Sequence, residues 1–179
     1  MNNNIVVSVA EVSDALGTIE VQYKTWLETY PNEKVGITRE DIEDRYRDAF
    51  SGKKLEKRIK AIKEQGENER ILVAKDGENV VAFCFLTKEE NKNQLQAIYI
   101  LPEYQGGGIG TKIWEKGRNF FDKEKDVYVE VAEYNEKAIS FYKKLGFIDT
   151  GRRWTDENFR MKSGAMMPEM EMKLDKSLL

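Results

Sequence analysis

The sequence predicts a single α+β domain built on a mixed, mostly antiparallel sheet flanked by helices. Two observations carry this reading. Up to about Gly66, apolar residues recur mainly at helical spacing; beyond it, short alternating or wholly apolar runs take over. Those runs begin as a hairpin and then alternate with helical stretches. No linker, repeat or low-complexity block divides the 179 residues, so residues 1–179 read as one domain with a sizeable core.

Taken in order, IVVSV at Ile5–Val9 is a short strand. Ser13 and Asp14 can cap a helix reaching about Tyr30, with Leu16, Ile19, Tyr23, Trp26, Leu27 and Tyr30 at helical spacing and Pro31 ending it. Thr38 with Asp41 resembles a capping box, with Asp in place of the usual Glu or Gln. It opens a second helix striped by Ile42, Tyr46 and Phe50. Residues 55–65 form a third helical piece, closed near Gly66. RILVAKDG is a strand entering an Asp-Gly turn, and NVVAFCFLTKE is the strand that returns from it. NQLQAIYIL, residues 93–101, is the next strand and leads into a glycine cluster. Helical spacing resumes at Ile109, Ile113 and Trp114, VYVEVA follows as a strand, and residues 135–145 form a helix with Gly146 as its C-cap. GFIDTGRRW leads into another strand, and PEMEMKL alternates as the last one.

Composition excludes several chemistries. The chain has no histidine and one cysteine, Cys84, set in the apolar run VVAFCFL. A histidine base, a Ser-His-Asp triad, an internal disulfide and thiolate-rich metal sites are therefore ruled out, and no metal is expected. No apolar run reaches membrane-span length, and MNNNIVVSVAEV has no basic region followed by an apolar core. The expectation is a cytoplasmic protein without membrane contact. A net charge of −3 disfavours broad nucleic-acid contact and tilts toward cationic substrates.

The segment LPEYQGGGIGTKIWEKG places Gly106, Gly107, Gly108 and Gly110 between a strand and a helix. Glycine loses the most backbone freedom on folding, so the cluster needs a reason. Helix-start amides lack internal partners and carry partial positive charge, which suits a phosphate or pyrophosphate. The P-loop order is absent, because Gly110 is followed by Thr111-Lys112, and no third glycine completes a dinucleotide fingerprint. On these residues alone, a ligand cradle and a tight strand-to-helix corner are both open. Downstream, NEKAISFYKKLGF puts Asn135, Ala138 and Tyr142 on one helix face and leaves Phe141 for the core.

Together these two segments resemble the GNAT superfamily of acetyl-coenzyme A dependent N-acetyltransferases. Gln105, Gly108 and Gly110 fall at the defining places of that family's Gln/Arg-x-x-Gly-x-Gly/Ala loop. Asn135, Ala138, Phe141, Tyr142, Gly146 and Phe147 match its later helix and the strand that follows. The resemblance implies splayed parallel strands, at the ends of residues 94–101 and Val127–Ala132, forming an acetyl-CoA cleft. It implies that backbone groups of Gln105, Gly106, Gly107, Gly108, Ile109, Gly110 and Thr111 bind the pyrophosphate of coenzyme A. Ile98, Tyr99 and Ile100 would line the pantetheine arm, as would Ala138, and Asn135 would bond the arm or order the helix start. Tyr142 would sit near the thioester sulfur as proton donor.

The acceptor amine needs a base, and Glu130 in VYVEVA resembles the glutamate some family members use, with Glu133 or a water relay as alternatives. Trp26 and Tyr30, near the acidic Glu28 and Glu33, are the candidate acceptor mouth. The N-terminal half resembles bacterial polyamine and small-molecule acetyltransferases, whereas residues 130–138 resemble the ribosomal-protein alanine acetyltransferase branch. The acceptor is thus a small amine, polyamines first, or a peptide N-terminus. A non-catalytic acyl-CoA-binding domain is the rival from another class, and amphipathic helices leave room for a homodimer without fixing one.

Overall fold

The structure is a computed structural model and describes residues 4–179. Seven strands form one sheet: β1 (Ile5–Val9), β2 (Glu69–Asp76), β3 (Asn79–Lys88), β4 (Asn93–Ile100), β5 (Val127–Ala132), β6 (Ile148–Thr155) and β7 (Pro168–Leu174). Their order across the sheet is β1-β2-β3-β4-β5-β7-β6, antiparallel throughout except for the parallel pair β4–β5. The expected mixed, mostly antiparallel architecture is therefore what forms. The helices are α1 (Ala15–Thr29), α2 (Arg39–Tyr46), α3 (Gly52–Glu64), α4 (Ile109–Gly117) and α5 (Glu136–Lys144). Among the described residues no helix is long and apolar enough to cross a membrane.

Side-chain alternation assigns the helices to faces. Phe83 pairs with Tyr99 on one face, where Arg58 of α3 lies over the Phe83 ring and α1 packs on β3 and β4. Leu72 and Leu86 point to the other face and meet α4 at Gly117. α5 joins α4 on that side through Phe141. The two faces bury Leu95, Ile113, Trp114, Phe147 and Met172 almost completely.

The cap signals are partly realised. Thr38 and Asp41 exchange both capping-box hydrogen bonds, at 3.1 and 2.9 Å. Asp41 also accepts from the Ser163 amide and hydroxyl, tying α2 to the loop before β7. Burial opposes its charge, but the hydrogen bonds from Thr38 and Ser163 hold the carboxyl below the ordinary range. The expected cap from Ser13 and Asp14 is not made. Asp14 is buried and instead takes Lys75 Nζ at 2.6 Å and the Glu11 amide at 2.9 Å. A buried carboxylate is more strongly satisfied by a cation than by one helix amide.

Two features shape the middle of the sheet. β4 and β5 pair only at Asn93↔Val127, Gln94↔Tyr128 and Leu95↔Val129. The β3–β4 register then shifts, from Leu86↔Leu95 to Phe85↔Ala97, leaving Gln96 as an extra residue in β4. A bulge bends and twists the strand that carries it, so β4 turns away from β5 where their pairing stops. Asn93 fastens the closed end. It is fully buried; its amide donates to Asp122 O and Lys125 O at 2.8 Å each, and its Oδ1 accepts from Asp122 N at 3.0 Å. Asn93→Ala leaves these backbone groups unpaired and is expected to cost roughly 2–4 kcal/mol of unfolding free energy, measured by denaturant titration.

Candidate active site

The open end of the β4–β5 pair is the centre of the site. Beyond Leu95, residues 96–100 of β4 and 130–132 of β5 are no longer ladder partners. Ile98, Tyr99 and Ile100 lie half-buried along this edge. A short 3₁₀ turn at Pro102–Tyr104 follows, and the chain then enters the glycine loop. Gln105 Nε2 donates to Ile100 O at 3.1 Å, closing the loop back on the strand that feeds it.

Gly106 and Gly108 adopt φ of 77° and 79°, the left-handed region that side chains rarely enter. A Cβ on either would meet nothing within 4 Å, so backbone conformation, not crowding, requires glycine there. Gly108 is the N-cap of α4 and supplies no side-chain cap. Lys112 N bonds Gly108 O at 3.0 Å. The amides of Ile109, Gly110 and Thr111 precede it in the first turn and have no acceptor within the helix. The result is a helix start without a side-chain cap beside the open strand edge, with Gly106, Gly107, Gly108 and Thr111 exposed and Ile109 and Gly110 buried. Gly110 is required for another reason. A Cβ there would lie 3.1 Å from the Phe141 ring and 3.2 Å from Ile100 Cδ1. Its missing side chain lets α5 pack directly on the start of α4.

α5 presents the next residue, Tyr142. Asn135 caps this helix, accepting from Ala138 N at 3.1 Å, so its ordering role is the one the geometry displays. At the other end Gly146, at φ 100°, completes a Schellman turn in which Phe147 N donates to Tyr142 O at 3.0 Å and Gly146 N to Lys143 O at 3.0 Å. Tyr142 is buried between Phe141 and Phe147, with ring centroids 5.6 Å away in each case. Burial pushes its phenol well above the ordinary tyrosine range, and the nearby Tyr99 phenol and Cys84 thiol add to the rise. It therefore stays protonated at neutral pH.

Trp26 and Tyr30, the expected acceptor mouth, sit on the far side of the same gap. Both are buried, at 4% and 8% exposure, and pack edge-on against each other at 4.6 Å. Tyr46 covers Trp26 at 5.6 Å and Arg45 lies over its ring. They form a wall inside α1, whereas helical spacing alone had left their cover unspecified. The Tyr30 phenol faces those of Tyr99, Tyr142 and Tyr46, and burial raises it strongly. Phenols from α1, β4 and α5 thus converge where the strands part. Trp26 Nε1 faces the Tyr99 hydroxyl without a formed hydrogen bond, and Gln94 Oε1 of β4 is likewise buried and unpartnered.

The remaining wall is acidic. The register Glu130↔Glu171 and Ala132↔Glu169 puts Glu130, Glu169 and Glu171 on one face of β5 and β7. Glu130 is raised by burial, with Lys92 and Arg152 opposing and Glu171 and Asp156 reinforcing. Glu169 is pushed up to about 7 by burial and by the charges of Glu130 and Asp156, with the Trp154 indole pulling the other way. Glu171 holds Arg152 at 3.2 Å, and Glu133 is engaged by Arg153 at 2.6 Å. Among the described residues, no group of acidic or cysteine side chains stands ready to hold a metal ion. Sequence reading missed Glu169, Tyr134 and Asn93; the glutamates at alternate positions of PEMEMKL were the available signal.

A cavity of about 620 Å³ opens elsewhere, between α1, α2, α3 and residues 160–162, with Arg45, Lys54 and Lys57 on its wall. It is not the strand gap.

Residues 38–147, which span α2 to α5, the hairpin, the open strand pair and the glycine loop, match the acetyltransferase (GNAT) family. The chain belongs to that family. Two curated GNAT relatives give its range: a thialysine N-epsilon-acetyltransferase from Mus musculus is 32% identical over 103 residues, covering 56% of this chain and 59% of the relative. The peptidyl-lysine N-acetyltransferase YjaB of Salmonella typhimurium is 34% identical over 82 residues, covering 46% and 52%. The chain thus spans between half and three-fifths of these relatives. Two solved structures share the fold over nearly the whole chain. The PaiA N-acetyltransferase of Thermoplasma acidophilum, in complex with coenzyme A, superposes with a TM-score of 0.71 at 24% identity, covering 93% of this chain and 98% of that one. The ribosomal-protein-S18-alanine N-acetyltransferase of Escherichia coli gives 0.61 at 18% identity, covering 95% and 92%.

The GNAT loop makes distinct demands on adjacent glycines. Gly108→Ala forces a left-handed alanine and is expected to lower stability by about 1–2 kcal/mol. Gly107→Ala, which meets only Tyr104 O at 3.7 Å and has no positive φ, is expected to be near neutral in the same thermal-unfolding measurement.

Proposed function

We propose that this chain is an acetyl-CoA dependent N-acetyltransferase acting on a small, positively charged primary amine, with polyamines the leading class. The observation that carries the reading is a glycine-built, uncapped helix start after the open β4 edge, joined through the Gly110–Phe141 contact to the helix whose buried Tyr142 phenol lies near Tyr99 of that edge.

The residues present fit coenzyme A. The amides at the start of α4, which have no acceptor within the helix, suit its diphosphate, as at other helix N-termini. The β4 edge at Ile98, Tyr99 and Ile100 suits an amide-bearing arm that adds to a strand. The orphaned Trp26 Nε1 near Tyr99, and Gln94 Oε1 in the paired end of β4, mark buried polar positions that a ligand or water would satisfy. When bound, acetyl-CoA supplies an activated acetyl group as a thioester.

The chain's own groups then fill three roles. An amine of pKa near 10 arrives charged, so a carboxylate on the acidic face must take a proton before the nitrogen can attack. The β4 backbone offers amides toward the acetyl oxygen. Tyr142 supplies the proton that the departing sulfur needs. A phenol holds its proton more tightly than a thiol does, about 10 against 8.5 on the ordinary scale, and burial widens that gap. Tyr142 therefore works in step with loss of the second nitrogen proton, which passes to the phenol oxygen as the first leaves it.

The acidic face, with Glu130, Glu169 and Asp156 near the gap, favours a cationic acceptor. The curated relatives are, by name, acetyltransferases of thialysine and of peptidyl-lysine, which supports an amine nucleophile. Acetyl-CoA thiol release against polyamines, amino acids, aminoglycosides and peptides tests the class, and turnover confined to peptides would replace polyamines with a protein acceptor. In the same assay Tyr142→Phe is expected to lower kcat roughly 100-fold while coenzyme A affinity by calorimetry stays within about twofold. Unchanged turnover would remove the phenol from the mechanism.

A further inference from the structure

We propose that Glu169, on β7, is the catalytic base for the acceptor, and that Glu130 acts beside it as a charged neighbour. This rests on the acetyltransferase reading.

Three geometric facts single out Glu169. First, β7 sets it beside Ala132, the last residue of the β5 edge that has lost β4 as partner. It stands at the open end of the gap, further out than Glu130, whose partner is Glu171. Second, the spot is tied to the phenol cluster: Tyr134, which senses the Glu169 charge, donates its hydroxyl to Tyr30 O at 3.0 Å, and Ala132 packs in the same cluster as Trp26, Tyr30 and Tyr99. Third, two neighbouring acids, the buried Glu171 and the exposed Glu133, are engaged. Glu171 has Arg152 and Thr150, and Glu133 has Arg153. Among the described residues Glu169 has no ion-pair partner, although it is partly buried. A half-buried carboxylate that has the Trp154 indole beside it but no cation costs stability, and a cation that arrives with the substrate offsets that cost.

The surroundings set its protonation. Glu130 from β5 and Asp156 after β6 crowd it with negative charge and the Trp154 indole opposes them, while Glu171, two residues on along β7, acts on Glu130 and is held by Arg152 from β6, and Lys92 lies nearer Glu130. Like charges and burial favour the protonated acid, so Glu169 gives up its proton only near pH 7. As the pH rises through that value it becomes the acceptor-ready carboxylate, and the rate rises with it. The proton count closes. One ammonium proton goes to Glu169 and then to solvent. The nitrogen bonds to the acetyl carbon as the carbon–sulfur bond breaks; Tyr142 gives its proton to sulfur and regains one from the nitrogen.

The two carboxylates make opposite forecasts, which separates them. The kcat/KM profile is measured by thiol release with the best amine of the panel, alongside carbon-13 NMR titration of glutamate carboxyls. Glu169→Gln is expected to lower the plateau at least about 100-fold and abolish the limb near pH 7, with melting temperature and coenzyme A affinity retained. Glu130→Gln removes a like charge; it should keep the plateau within a few-fold and move the limb to lower pH. If Glu130→Gln abolishes the limb while Glu169→Gln merely moves it, Glu130 is the base and the proposal falls. A Glu169 carboxyl that titrates in the ordinary range near 4.5 overturns it as well. Absence of thiol release by the unaltered protein with every amine overturns the transferase reading instead, whatever Glu169 does.

Discussion

β4 and β5 stay hydrogen-bonded for three residue pairs and then separate, and the site depends on that separation. A continuous ladder would satisfy the strand edges internally and leave no room between them. The parting is built in two ways. Asn93 pins the closed end with three buried hydrogen bonds, and the extra residue at Gln96 turns β4 aside immediately after the last pair. A rigid start and a bent continuation yield a gap of fixed position, not a frayed edge. The elements that follow each strand then meet across it: the glycine loop after β4, and α5 after β5.

Two kinds of polar group are left under-satisfied around this gap. Helix-start amides are unpartnered at the exposed end, where water can reach them at little cost. Trp26 Nε1 and Gln94 Oε1 are more deeply placed, where lack of a partner is expensive, and the half-buried Glu169 carboxyl lacks a cation. Elsewhere the chain pairs its acids readily: Asp14 with Lys75, Asp126 with Lys173, Asp149 with Arg153. Native structures keep such costs where a ligand repays them.

Much of this was legible from local sequence. The glycine cluster, the Asn135 cap, the Gly146 turn and the Thr38–Asp41 box are all set by residues within a few positions of each other, and the structure builds each. The order of helices and strands was legible for the same reason. What was hidden depends on pairing between distant segments. PEMEMKL showed two glutamates on one strand face, but only the β5–β7 register places Glu169 at the mouth of the gap. Trp26 and Tyr30 shared a helix stripe, yet their burial depends on Tyr46 and Phe159 closing over them. Asp14 was a fair helix cap until Lys75, on a strand far along the chain, reached it.

Cys84 lies in the core beneath the phenol cluster, fully buried, and burial drives its thiol far from ionisation. A disulfide reagent is consumed by attack of a thiolate on it, so the native chain is expected to be silent toward such reagents. Colour developed with such a reagent then reports coenzyme release alone, and a signal from the protein itself announces that the sheet has opened.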